Sequence, residues 1–221
     1  MNHKRITLFA GHYGSGKTNI AVNYAMELAK TGKPVVIADL DIVNPYFRTK
    51  DSADELATLG IELISPEFAN SNVDLPALPA QVYGVVQNKN RLAVLDIGGD
   101  DRGAYALGRY APYILEENDF EMVFVANFMR PLTKTAEEAL EVMREIELAG
   151  KIPFTAIVNN TNLGNLTDAE TVEASNYEAK KLSEISGLPI LFTSAETGVA
   201  PKVSLENVFP LNLQKKYFDI K

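Results

Sequence analysis

The chain has no cysteine and only two histidines, His3 and His12, in 221 residues. Without thiolates, sulfur-based zinc sites, iron–sulfur ligation and CxxC redox chemistry are all excluded. Two histidines alone do not build a transition-metal site. Positive charge is also scarce. Lys and Arg total 21 against 29 Asp and Glu, a net charge of −8, so broad binding to nucleic acid or an anionic membrane is not expected, since both need a positive field. No apolar run approaches the ~20 residues of a membrane span. Lys4 and Arg5 precede only a short apolar run, which does not make a secretory signal. A cytoplasmic location is the expectation. With no internal repeat, low-complexity tract or linker, residues 1–221 read as one domain, and 46% hydrophobic residues is ample for its core.

What is present centres on Gly11-His12-Tyr13-Gly14-Ser15-Gly16-Lys17-Thr18. It follows the apolar run Ile6-Thr7-Leu8-Phe9-Ala10 and opens into a helical pattern ending near Ala29. Strand, Gly-rich loop and helix form the context that a GxxxxGK[ST] phosphate loop requires. A polyphosphate needs several backbone N–H groups around it, and residues without bulky side chains let the chain curl that tightly. The following helix adds its N-terminal N–H groups. Lys17 is placed to reach the β- and γ-phosphates and Thr18 to ligate Mg²⁺, with Asn19 alongside.

The rest of the chain alternates strands and helices. Strands are expected at 35–41, 61–64, 91–96, 121–126, 154–159 and 188–193, and helices at 51–59, about 80–87, 104–115, 134–148 and 168–186. Residues 70–79 read as loop. This pattern predicts a single doubly wound, mainly parallel α/β sheet with helices on both faces. In such sheets ligands bind at the carboxyl ends of the strands. Asp39, Asp41 and Asp96 fall there, as does the Gly98-Gly99 pair. Asp96 closes an apolar run as a Walker B aspartate does, the setting for holding Mg²⁺ directly or through water. The backbone N–H of Gly99 is then a candidate γ-phosphate sensor. Asp39 and Asp41 share a face if the strand persists, and two neighbouring carboxylates call for a cation or a proton-transfer role.

These motifs, GHYGSGKT, ADLDIVNP, LDIGG and AIVNN, make the chain resemble the MinD/ParA-type ATPases of the SIMIBI class of P-loop NTPases along its whole length. The resemblance implies Asp39 near Mg²⁺ (with Thr18 and Asp96), Asp41 orienting the attacking water, and Asn159 or its neighbour Asn160 contacting adenine. It also implies a nucleotide-dependent homodimer. The family carries a second lysine directly after the first glycine, and this chain has His12 there. Arg48 and Arg130 are candidate substitutes in the manner of an arginine finger. The tail, 213–221, carries only a faint amphipathic signal. The resulting expectation is a Mg²⁺-dependent nucleoside triphosphatase that prefers ATP and acts as a conformational switch toward a protein partner. Two alternatives stand beside it. One is an enzyme that uses ATP to activate a small molecule, with Tyr46, Arg48 and Arg102 lining the pocket. The other is a nucleotide-responsive binding module with little turnover.

Overall fold

In the computed structural model of the chain the described residues are 3–41, 49–65, 81–99 and 101–214. Long β-branched and aliphatic runs become the strands β1 (Ile6–Ala10), β2 (Val35–Leu40), β3 (Glu62–Ile64), β4 (Leu92–Ile97), β5 (Phe120–Ala126), β6 (Ala156–Asn159), β7 (Ile190–Glu196) and β8 (Val208–Leu211). They form one sheet in the order β3-β2-β4-β1-β5-β6-β7-β8, with every neighbouring pair parallel. The helices are α1 (Lys17–Ala29), α2 (Ala53–Thr58), α3 (Gln81–Gln87), α4 (Asp101–Leu107), α5 (Ala111–Glu117), α6 (Ala136–Gly150), α7 (Ala169–Ala174) and α8 (Asn176–Ser186).

The central strands are buried end to end because helices cover both faces, as parallel sheets require. Successive side chains point to opposite faces. Ile6, Leu8 and Ala10 therefore join the core under α3, α4, α5, α6 and α8, while Phe9 packs with α1 and α2 on the other side. At the amino end of β1, away from the phosphate loop, buried Arg5 pairs with Glu117 and donates to the carbonyl oxygens of Val85, Val86 and Asn88, which fastens the end of α3.

The strand order places β1 at a reversal. From β1 the chain moves outward to β2 and β3, returns to insert β4 beside β1, and then builds β5 to β8 on the far side. A crevice opens at the carboxyl end of a strand where the order reverses, and there the Gly-rich loop sits.

Three expectations on elements are revised. The helix expected at 104–115 is two, α4 and α5, separated at 108–110, because Pro112 is tolerated in a first helical turn and not inside a helix. The pattern at 168–186 likewise divides into α7 and α8 at Ser175. The helix expected from 51 begins instead as a 3₁₀ turn, Thr49–Ser52, that runs into α2. An eighth strand, β8, has no clear sequence signal because Pro210 lies inside a four-residue run. As an edge strand it accommodates the proline. Among the described residues no helix is long and apolar enough to cross a membrane. The loop expected at 70–79 lies outside them.

Candidate functional site

The loop after β1 is held open from outside. The carbonyl oxygen of Gly14 accepts from Arg130 Nε at 3.0 Å, and that of Ser15 accepts from Asn160 Nδ2 at 2.7 Å. Drawing two consecutive carbonyls outward leaves the N–H groups facing inward. Among the described residues the N–H groups of Gly14, Gly16, Lys17 and Thr18 have no acceptor. Gly16 takes φ +85°, and a Cβ there would lie 2.3 Å from Asn160 Nδ2. Both the left-handed backbone and the close approach demand glycine.

Lys17 is 3% exposed, and its Nζ lies 3.2 Å from Asp41 Oδ2. Asp39 Oδ1 accepts from the Asp41 N–H at 2.9 Å, so the first acid fixes the backbone that carries the second. Asp39 and Asp96 are direct register partners on β2 and β4. Asp96 is 1% exposed, and its carboxyl is pushed up to about 6, above all by burial and further by the Asp41 charge, while Lys17, Thr18 and Thr49 draw it down. Asp96 Oδ1 and the Ser15 hydroxyl are buried without a hydrogen-bond partner among the described residues. Polar atoms left unmatched indoors are costly, and here they flank a loop of inward N–H groups.

That donor set fits a hydrated Mg²⁺ beside phosphate, which takes one or two carboxylates and keeps several waters. No group of three or more His, Cys, Asp or Glu that could cage a metal occurs among the described residues. Thr18, Asp96 and Asp39 are the residues that would hold the Mg²⁺.

The loop after β4 packs directly on the phosphate loop. A Cβ on Gly99 would lie 2.8 Å from the Tyr13 nitrogen and 2.9 Å from the Gly11 oxygen. Any movement of one loop is therefore felt by the other.

The remaining expected residues are distributed less simply. Asn159, expected at the base, is fully buried; it donates to the Ser175 hydroxyl and accepts from the Thr161 N–H and hydroxyl. Asn160 braces the phosphate loop and accepts from the Ser194 hydroxyl at 2.6 Å. His12 Nδ1–H donates to the Tyr13 carbonyl at 3.0 Å, folded back on its own loop. Arg130 Nε holds the Gly14 carbonyl, which places its guanidinium against the phosphate loop. Asn19 accepts from the Gln214 N–H at 3.1 Å. Tyr46, Arg48, the Arg102 side chain and residues 215–221 lie outside what is described.

Two features escaped the sequence. Thr49 is fully buried, and its hydroxyl donates to Asp96 Oδ2 at 3.3 Å. A segment past β8 is laced to α1. Asn23 donates to the Asn212 carbonyl and accepts from its N–H, both at 2.9 Å, while Gln214 Nε2 donates to Ser52 Oγ at 2.9 Å. No sequence signal marks contacts between residues 189 apart, although an asparagine that pairs with a backbone as a strand would is a recognisable device.

No protein-family model matches the chain, and no curated protein matches it in sequence. Solved structures do share its fold. FtsY from Mycoplasma mycoides superposes with a TM-score of 0.58 at 16% identity, covering 87% of this chain and 60% of its own. The cell division protein FtsY from Thermotoga maritima gives 0.60 at 16%, covering 88% and 63%. The 54 kDa signal recognition particle protein from Aeropyrum pernix, solved in complex with GDP, gives 0.51 at 14%, covering 87% and 41%. The fold is thus the α/β fold of these proteins. This chain spans less than two thirds of the length of each.

Proposed function

We propose that the protein is a Mg²⁺-dependent nucleoside triphosphatase that prefers ATP and cycles as a conformational switch. The observation that carries this is a buried lysine at the base of a loop in which, among the described residues, the N–H groups of Gly14, Gly16, Lys17 and Thr18 have no acceptor. A buried ammonium is tolerated when an anion accompanies it, and Asp41 supplies only one negative charge where a polyphosphate supplies several.

Lys17 would exchange Asp41 for the β- and γ-phosphate oxygens, offsetting charge that builds in the transition state. Asp41, released from Lys17, would orient the attacking water, with its backbone held by Asp39. Bound Mg²⁺ would supply Lewis-acid charge neutralisation between the phosphates. Loss of the γ-phosphate would restore the Lys17–Asp41 pair. It would also relax the Gly99 loop against residues 11–13, giving an output that a partner protein, or a second copy of the chain, can read.

The preference for ATP rests on the resemblance and on the loop after β6. Residues 159–167 contain amides and no carboxylate, whereas reading the guanine N1–H and amino group calls for an acceptor of that kind. The GDP-bound signal recognition particle structure points the other way by analogy, so both nucleotides belong in the test. Base contacts are proposed for the loop 159–162 through its backbone, since the amides of Asn159 and Asn160 are engaged. A module with little turnover is the second reading, favoured by His12, which is folded back on its own loop.

Phosphate release from the full chain with ATP or GTP and Mg²⁺, beside Lys17→Ala, separates these. Turnover that is lost in the variant supports the enzyme, and the faster nucleotide sets the base. Tight binding without turnover selects the module. No binding of either nucleotide refutes both.

A further inference from the structure

Asp96 has two carboxylate oxygens in different circumstances. Oδ2 accepts from Thr49, and Oδ1 has no partner among the described residues. We propose that Thr49 is a positioning residue: its hydroxyl ties down Oδ2, so that Oδ1 alone faces the cation. This deepens the nucleotide reading and rests on it.

The backbone of Asp96 is fixed between β1 and β2, which leaves its side-chain torsions as the remaining freedom. A donor from another element removes that freedom. Thr49 comes from a 3₁₀ turn 47 residues earlier in the chain. A four-residue turn has little rigidity of its own, and here it is braced from behind. Ser52, at its other end, accepts from Gln214 Nε2, and the Gln214 N–H donates to Asn19, next to Thr18 on α1. Thr18 in turn sits beside Asp96. The contacts close a ring that runs from Thr18 and Asn19 through Gln214, Ser52 and Thr49 to Asp96. Each member is buried or half-buried, so the ring fixes the distance between the phosphate-loop helix and the acid that faces it.

A hydroxyl that only filled space would be replaceable by a methyl group. A positioning hydroxyl is replaceable by another hydroxyl and not by a methyl. The test measures the affinity of the full chain for a fluorescent ATP analogue, with Mg²⁺ and with EDTA, for wild type, Thr49→Val, Thr49→Ser and Gln214→Ala. Thr58→Val, on the exposed side of α2, is the control.

Thr49→Val is expected to lose about tenfold of the Mg²⁺-dependent gain in affinity, the loss typical of one hydrogen bond to a charged group, while its affinity in EDTA is unchanged. Thr49→Ser should keep the gain, and Gln214→Ala should lose part of it. The proposal is overturned if Thr49→Val retains the wild-type gain. It is equally overturned if Thr49→Ser falls with it, or if affinity drops as much in EDTA. Absence of nucleotide binding by wild type would instead bring down the nucleotide reading itself, and Thr49's role with it.

Discussion

Asp96→Asn should stabilise the ligand-free protein while disabling it. Asp96 is buried, with a carboxyl pushed from the ordinary 3.8 up to about 6. The folded state therefore keeps this proton to higher pH than the unfolded chain does. That stabilising contribution is complete below pH 3.8 and is lost as pH rises through 6. The gap between the two values corresponds to roughly 3 kcal/mol at high pH. Roughly half of it is lost between pH 5 and pH 8. An asparagine carries no charge to desolvate, so its curve lacks this slope. In EDTA and without nucleotide, the Tm of the variant should gain about 3–5 °C on wild type between pH 5 and pH 8, given the usual response of a domain of this size. The same variant should lose Mg²⁺-dependent nucleotide binding, because an amide oxygen is a poorer ligand for a hard cation. Thermal unfolding across that pH range is the assay. Parallel Tm-versus-pH curves for the two proteins would refute the reasoning, since they would mean that Asp96 is not held against its own ionisation.

Lys17→Ala removes the cation beside buried Asp41, and should cost about 3–5 kcal/mol in chemical denaturation; adding Asp41→Asn should recover part of that, seen as coupling in a double-mutant cycle. Asn160→Ala leaves the Ser15 carbonyl without its donor and the Ser194 hydroxyl with only its longer bond to the Asn159 carbonyl, so a loss of about 1–3 kcal/mol is expected, together with weaker nucleotide affinity by titration calorimetry. Gly99→Ala forces backbone atoms of residues 11–13 to shift, and nucleotide affinity should fall further than Tm does. Glu117→Gln strips the charge opposite Arg5 at the amino end of β1, opposite the phosphate loop. It should lower Tm and leave nucleotide affinity untouched.

The phosphate loop and its two flanking elements were legible because periodicity and glycine spacing are local signals. So were the central strands, whose unbroken apolar runs follow from burial on both faces. The site's outer supports were not. Arg130 could be noticed as a cation, but its attachment to Gly14 depends on a turn 116 residues away. Thr49 bears no motif, and its role exists only because β4 inserts between β2 and β1. The resemblance assigned a base contact to Asn159 or Asn160. The long-range bonds their side chains make to Ser175, Ser15 and Ser194 carry no local signal. Where a residue's partner is distant in sequence, its chemistry was visible and its address was not.

The stitching of Asn23 and Asn19 to Asn212 and Gln214 has a consequence for how the protein comes into being. On the ribosome, β1, α1 and β2 emerge early, and the sheet's centre can pair once β5 has been made. Yet α1 lacks its final fastenings until residues some 190 positions later arrive. Loops that long close slowly relative to local structure. A growing chain therefore carries its phosphate loop through the synthesis of some 190 further residues without the lacing that completes it. Nucleotide supplied during synthesis would act as a folding aid, and chains halted before residue 212 would be the ones that quality control removes.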